Sequence, residues 1–240
     1  MNIHYHSFPS DTLVRIDSIN SVDEFKGILD DICHFYGFDG YSFYHYNSVE
    51  QSYFKIDTRP EAYLHIYEEI GGIYIDPIAY LTTLRPRTFR WTEGLSQISL
   101  SPIQNAQLEI ARKFGIKDGI SSSVISEKPY ISAISWYSDS YTLVSDVFQK
   151  SGHILDTITK AIVQKYEYFL CDIEIPSLTP RERDVLSWVA RGKTSIDVSE
   201  ILDISAHTVD SHLRAILLKL NAPSRSNAVA KAITYRIITL

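Results

Sequence analysis

Leu178-Thr179-Pro180-Arg181-Glu182 opens the stretch that decides the fold of the C-terminal part of this chain, which runs to Leu240. Thr179 can cap a helix, Pro180 suits its first turn, and Glu182 can reach back to the backbone N–H of the cap. Val185, Leu186, Val189 and Ala190 follow at helical spacing, and Gly192 stops the helix. Thr194 caps a second short helix carrying Ile196, Val198, Ile201 and Leu202. Asp203-Ile204-Ser205 turns the chain. A third helix places Val209, Leu213, Ile216, Leu217 and Leu220 on one stripe, and Ser224 or Ser226 starts a fourth with Ala228, Val229, Ala232 and Ile233.

Two helices joined by so tight a turn cross steeply, and the crossing needs a small residue. Ser199 supplies it, and Val209 fills the wedge. The third helix is then held by its apolar side while His207, Asp210, Ser211 and Arg214 face outward. A helix presented in this way fits the major groove of DNA, where side chains reach base edges. The competing reading is a small helical bundle with a solvated third helix.

Charge separates the two. The chain carries a formal net charge of −6, but residues 175–240 hold nine Lys/Arg and six Asp/Glu, a net of +3. The remainder holds 14 basic and 23 acidic residues, a net of −9. The basic part is the part that would meet phosphate. An excess of three is modest, so two copies of the unit are expected on DNA.

The string Leu178-Thr179-x-x-Glu182, Leu186, Gly192-Lys193-Thr194, Ile201-Leu202-x-Ile204-Ser205-x-x-Thr208-Val209-x-x-His212-Leu213 and Lys219-Leu220 resembles the C-terminal domain of the LuxR family of transcription regulators. The resemblance implies a DNA-contacting set of Lys193, Thr194, His207, Thr208, Asp210, Ser211 and Arg214. Arg214 is expected at a base and Lys193 at phosphate. Two residues depart from the family. Asp210 stands where Lys or Arg is frequent, and would accept from a cytosine amino group or orient Arg214. Asp203 replaces a frequent glycine, and Asp tolerates a left-handed backbone better than most residues.

Upstream, Val22, Phe25, Leu29, Ile32 and Tyr36 mark a helix ended by Gly37. Residues Tyr41 to Tyr46 and Tyr53 to Ile56 read as strands. Pro60 to about Ile70, Asp76-Pro77 to about Leu84, and Ser101-Pro102 to Gly115 read as helices. Ile120 to Ile125 and Tyr130 to Tyr137 read as strands about a Lys128-Pro129 turn, and one long amphipathic helix lies within Leu143 to Leu170. The fold class expected is α+β: an α/β/α sandwich around an antiparallel sheet, then an all-α four-helix helix-turn-helix domain. Domain limits are expected at 1–171 and 178–240, with 172–177, containing Pro176, as linker.

The chain has 16 tyrosines, many between Tyr36 and Tyr80. Aromatic walls with polar tips suit a closed pocket, although composition alone favours reading them as core and edge residues. The spacing Tyr63-x3-Tyr67-x8-Asp76-Pro77-x13-Trp91-x27-Gly119 resembles the signal-binding domain of the quorum-sensing branch of the same family. So do the strings Arg85-Pro86-Arg87-Thr88-Phe89-Arg90-Trp91 and Phe114-Gly115-Ile116-Lys117-Asp118-Gly119. The resemblance implies an N-acyl-homoserine lactone ligand or a related small signal. It further implies that Asp76 accepts from the ligand amide and Tyr67 packs at the head group. Trp91 would form a wall, Ser135 would face the amide, and Gly119 would permit a close backbone approach. Such polar partners are needed, because burying the ligand head without them costs a few kcal/mol. Here too the chain departs from the family. Tyr63 stands where the lactone-carbonyl donor is usually Trp, and Arg59 where Tyr is frequent. Arg59 is expected to reach a ligand oxygen or to pair with Asp57 or Glu61.

Other chemistries find little support. Asp30-Asp31 lies inside an amphipathic helix, not at strand ends as in a phosphorylated receiver. His4 and His6 lack a third ligand, so no metal and no cofactor beyond the signal is expected. Gly119-Ile120-Ser121-Ser122-Ser123 resembles a nucleophile elbow only loosely, and the chain is expected not to be an enzyme. Cys33 and Cys171 fit a reducing compartment. Met1 to His6 has no basic n-region, and no apolar run spans a bilayer, so a cytoplasmic protein without membrane association is expected. The reading is a signal-responsive regulator that binds a two-fold symmetric operator as a homodimer. Dimer contacts are expected from the long helix and the fourth helix of the second domain. The alternative is a ligand-independent regulator or antagonist that pairs with a related protein.

Overall fold

The computed structural model describes residues 11–47, 52–84, 86–126, 130–169 and 176–239. His4, His6, Arg85, the Lys128-Pro129 turn, Cys171 and the linker residues 172–175 lie outside the described residues. The chain divides into two compact units.

The first unit runs α1 (Thr12–Asp17), α2 (Val22–Tyr36), β1 (Gly40–Asn47), β2 (Ser52–Asp57), α3 (Glu61–Glu69), a 3₁₀ turn at Gly72–Tyr74, α4 (Pro77–Leu84) and β3 (Phe89–Arg90). It continues with α5 (Trp91–Leu95), α6 (Pro102–Lys113), β4 (Asp118–Ile125), β5 (Tyr130–Ser138) and α7 (Tyr141–Phe169). The five strands form one antiparallel sheet in the order β2-β1-β5-β4-β3. β4 and β5 pair with Ile120 opposite Trp136 and Ser121 opposite Ser135.

Strand periodicity divides this sheet between two jobs. Tyr41 and Phe43 of β1, Ile120 of β4, and Ile134 and Trp136 of β5 are buried in a core with Phe25, Leu29 and Ile32 of α2 and Leu155 and Ile162 of α7. The intervening residues Ser42, Tyr44, Ala133, Ser135 and Tyr137 line a cavity. Beside them lies a second cluster built from Tyr63 and Tyr67 of α3, Ile78 and Leu81 of α4, Trp91 of α5 and Ala111 of α6. The result is the expected α/β/α sandwich.

The helix signals translate into caps. Ser21 caps α2 by accepting from Glu24 N, and Gly37 ends it at φ 75°. Ser101 and Gln104 form a capping box on α6, with Pro102 in its first turn. Four elements go beyond the expectation: α1, the 3₁₀ turn at Gly72–Tyr74, the two-residue strand β3 and the five-residue α5. All are too short to show a period. Val22, expected on the apolar stripe of α2, is exposed, because at the first helical position it precedes the turn that meets the core.

The second unit contains α8 (Pro180–Ala190), α9 (Ser195–Leu202), α10 (Ala206–Lys219) and α11 (Arg225–Thr234). Leu178, Val185, Leu186, Val198, Val209, Leu213, Ile216, Leu220, Ala228 and Ala232 make its core. Thr179–Glu182 and Thr194–Asp197 are capping boxes. Between α9 and α10 Asp203 adopts φ 52° and ψ 53°, the left-handed conformation anticipated for it, and Ser205 caps α10. Ser224 is the residue that caps α11. Ile196 and Ile201, expected on the apolar side of the second helix, are exposed, and Val198 alone of that helix is fully buried. Among the described residues no helix is long and apolar enough to cross a membrane.

Candidate functional site

A cavity of about 80 Å³ lies between the sheet and α3, α4 and α6. All six candidate residues, Arg59, Tyr63, Tyr67, Asp76, Trp91 and Ser135, line it. β1 and β2 deliver Tyr44 and Asp57, and Arg59 stands two residues past the end of β2. Tyr63 and Tyr67, four residues apart, fall on one side of α3, and Asp76 precedes the first residue of α4.

Asp76 has two duties. Its Oδ1 accepts from Ile78 N at 2.7 Å and caps α4, while its Oδ2 accepts from Tyr67 Oη at 3.0 Å. It is half-buried, so the carboxylate sits at the cavity wall and not deep within the protein. Burial, reinforced by the charge of Asp76, drives the Tyr67 phenol far above its ordinary pKa. Burial pushes Tyr63 up to about 12 against the opposing pull of Arg59. Both hydroxyls therefore remain protonated donors at neutral pH.

Arg59 takes the second of its anticipated roles with one of the two acids named for it. Its Nε lies 2.9 Å from Asp57 Oδ1 and its Nη2 2.6 Å from Asp57 Oδ2, with both side chains buried. Nη2 also donates to Tyr44 Oη at 2.8 Å, and Tyr44 Oη donates to Asp57 Oδ2 at 2.9 Å. Glu61 faces His65 at 3.9 Å instead. The guanidinium stacks 4.4 Å from the Tyr67 ring centroid and 5.3 Å from that of Tyr63. Burial alone would lower its pKa, but the bonds to Asp57 outweigh that and hold it charged.

On the sheet side Trp91 Nε1 donates to Ser121 Oγ at 2.8 Å, and Ser121 Oγ shares a hydrogen bond with Ser135 Oγ at 2.7 Å. Gly119 admits this arrangement. A Cβ there would lie 2.4 Å from the Trp136 carbonyl oxygen and 2.6 Å from Trp91 Cε2. The close approach is therefore that of the protein's own indole and backbone.

Sequence reasoning missed several residues of the site. Tyr44 lines the cavity, and Ser121 stands behind the wall as the partner of Trp91 and Ser135; both are tied in by cross-strand and cross-loop partners, which spacing does not reveal. Gln107 of α6 is buried at the wall. Its Nε2 donates to the Gly72 carbonyl at 3.3 Å, and its Oε1 has no partner among the described residues. A more apolar pocket of about 270 Å³ shares Tyr44, Ile73, Ala79, Thr82 and Ala133 with the first and adds Tyr46, Tyr74 and Tyr80. This is where part of the tyrosine surplus goes. Tyr36, Tyr41 and Tyr166 are core residues.

In the second unit Lys193, His207, Ser211 and Arg214 are exposed, and Val209 and Leu213 hold the opposite side of α10 in the core. Thr194 is occupied as a cap, with its hydroxyl 2.8 Å from Asp197 Oδ2. Thr208 Oγ1 pairs with Ser205 Oγ at 2.8 Å. Ser211 Oγ donates to the His207 carbonyl at 2.9 Å. Asp210 does not orient Arg214. Its Oδ1 accepts from Ser195 Oγ and from Arg225 Nη2, both at 2.9 Å. Arg225 stands at the start of α11, and no local pattern signalled that it would reach the third helix.

Asp30 accepts from Tyr41 Oη at 2.7 Å and Asp31 pairs with Arg15, so the acidic pair belongs to an exposed helix side. Ser121, Ser122 and Ser123 are buried in β4, bonded respectively to Ser135, Thr88 and the Thr82 carbonyl. Among the described residues no three His, Cys, Asp or Glu side chains group as a metal site requires. Cys33 is free and half-buried, and burial pushes its thiol up to about 11.

Two family patterns match the sequence. The one described as "Autoinducer binding domain" covers residues 21–166, and "Bacterial regulatory proteins, luxR family" covers residues 176–232. The chain is 28% identical over 181 residues to the transcriptional activator protein BjaR1 of Bradyrhizobium diazoefficiens, covering 75% of this chain and 73% of that protein. It is 23% identical over 239 residues to the transcriptional activator protein LuxR of Aliivibrio fischeri, covering 97% and 95%. The crystal structure of Escherichia coli SdiA shares the fold with a TM-score of 0.77 at 20% identity, covering 95% of this chain and 96% of that one.

Proposed function

This chain belongs to the luxR family of regulators that carry an autoinducer-binding domain, and from that premise we propose that it couples an N-acyl-homoserine lactone, or a close relative, to a DNA operator. Regulators, not enzymes, make up the family, and a small-molecule signal and DNA are its partners. The finer reading is that residues 1–171 hold the signal, 172–177 link, and 178–240 bind a two-fold symmetric operator as a homodimer in the cytoplasm.

The observation that carries the signal assignment is the convergence of Asp76, Tyr67, Tyr63, Ser135 and Arg59 on one cavity with an apolar annex. An acceptor and several protonated donors around an aromatic wall complement an amide N–H and two carbonyls, and the annex suits an acyl tail. On the DNA side, exposed Arg214 and His207 on a helix held by Val209 and Leu213 support base reading. An uncompensated carboxylate at Asp210 would speak for the partner-only alternative, but Asp210 pairs with Arg225 at 2.9 Å.

The test is mass spectrometry of small molecules carried through purification, with titration of the purified chain against N-acyl-homoserine lactones of graded tail length. One member binding at micromolar concentration or better, and altering retardation of a promoter fragment, is the expected result. No binding across the series would overturn the signal assignment.

A further inference from the structure

Gln107 of α6 lines the cavity and is only 2% exposed. Its Nε2 donates to the Gly72 carbonyl, and that partner fixes which way the amide faces. Turned over, the amide would set two carbonyl oxygens against each other. Oε1 is thereby committed as an acceptor. Among the described residues it is the side-chain atom of the cavity wall that lies buried without a partner. Asp76, Arg59 and Ser135, by contrast, are matched within the protein. A buried acceptor with no donor is costly, so this oxygen asks for an N–H or O–H. An N-acyl-homoserine lactone has one N–H, already assigned to Asp76, and otherwise only acceptors. Position decides which part of a ligand must answer. α6 contributes Gln107, Leu108, Ala111 and Arg112 to the cavity and, among the described residues, none to the apolar annex. A tail lying in the annex therefore leaves Gln107 to the opposite end of the molecule.

We propose that the signal this chain recognises carries a neutral hydroxyl at the end remote from its tail, and that Gln107 Oε1 accepts from it. The inference rests on the acyl-amide reading of the signal given above and narrows it to compounds with a second donor, of the class of N-acyl amino alcohols. A hydroxyl also accepts, so it can serve Gln107 and still answer a phenol such as Tyr63. A plain lactone ring leaves the buried oxygen of Gln107 unmet, which makes about a 10- to 100-fold discrimination. A carboxylate at the same end, as in an opened lactone, is disfavoured by charge. The cations of the wall are each paired, Arg59 with Asp57, Arg112 with Glu109 and Lys117 with Asp139, and the Gln107 oxygen offers an anion nothing.

The experiment titrates the full chain with N-octanoyl amides that share tail and N–H but differ at the ring. These are the amides of homoserine lactone, of 2-aminocyclopentanone and of each stereoisomer of 2-aminocyclopentanol. The unaltered chain is expected to bind one stereoisomer of the alcohol about 10- to 100-fold more tightly than the ketone. In Gln107→Leu, which keeps the volume and removes the acceptor, the alcohol falls to the level of the ketone while ketone affinity holds. Gln107→Met carries the same expectation and serves if the first variant does not fold. An unaltered chain that binds the alcohol no better than the ketone overturns the proposal, whatever the variants do. So does a preference that survives in either folded variant. Equal loss of both ligands would reduce Gln107 to a structural tie to Gly72 and overturn it too. Failure to bind any of these amides would overturn the signal assignment together with this inference, whereas binding without preference sinks the inference alone.

Discussion

Tyr67 donates its hydroxyl to Asp76 Oδ2 at 3.0 Å while the other oxygen of that carboxylate caps α4. The residue proposed to receive the ligand amide is thus also a helix cap, and the two roles separate by substitution. Asp76→Ala loses both: we expect signal affinity to drop at least 10-fold and the first unit to lose about 1 kcal/mol of stability. Asp76→Asn keeps a capping oxygen and loses only the charge, so affinity falls while stability holds. Calorimetric titration and thermal unfolding of both variants check this, and unchanged affinity in either would remove Asp76 from the ligand contact.

Gly119 has no room for a methyl group between the Trp136 carbonyl and the Trp91 ring. Gly119→Ala must displace the indole and break its bond to Ser121. The expected cost is about 1–3 kcal/mol in urea unfolding, with weakened ligand binding. Trp91→Phe, which removes the donor to Ser121 and part of the ring but forces no atom into occupied space, is expected to cost less. The reverse order would contradict the packing argument.

Arg214→Ala is expected to narrow the affinity gap between operator and random DNA, because the residue is assigned to a base edge. Lys193→Ala is expected to weaken both about equally and to reduce the salt slope by about one. Mobility-shift titrations at several salt concentrations read both effects. Uniform weakening by Arg214→Ala would move that residue to the backbone.

Asp210 and Arg225 form a half-exposed pair, so breaking it changes stability little, by less than about 1 kcal/mol. Its effect belongs on DNA. Arg225→Ala leaves an unpaired carboxylate on the DNA-facing helix, and we expect binding to weaken most at low salt. Asp210→Asn in the same background restores it. Failure of that restoration would show Arg225 acting on DNA directly and not through Asp210.

Glu182 closes the cap on α8 and accepts from Lys219 Nζ at 2.8 Å. Burial raises its pKa, but the bonds from Lys219 and Thr179 outweigh burial and hold it below the ordinary glutamate value. The folded pKa being the lower one, the stabilisation is present above the unfolded value and is lost as pH falls through the folded one. Denaturant unfolding of the second unit is expected to weaken on acidification through that window. Glu182→Gln flattens the dependence, and an identical profile in that variant would refute the linkage.

The helices of the second unit were legible, because each carries a cap at its start; the stripes of α8, α10 and α11 were long enough to show a period, whereas eight-residue α9 was not, and its Ile196 and Ile201 are exposed. Gly192 and Asp203 marked its corners, both at positive φ. In the first unit the cavity residues followed spacing, but their partners did not. Ser121 reaches Trp91 across 30 positions, and in the second unit Arg225 likewise reaches Asp210 across 15, distances at which no local propensity speaks. Arg59 was left with two candidate acids by sequence, and only β2 running straight into it selects Asp57 over Glu61. Short pieces such as β3 and α5 were invisible for want of length.

In β5 the residues 133, 135 and 137 look into the cavity, while Ile134 and Trp136 between them seal the core. Chemical taste and mechanical soundness are thus written on alternate beads of one thread. A lineage can revise the odd beads, and with them the message it hears, while the even ones keep the receiver standing.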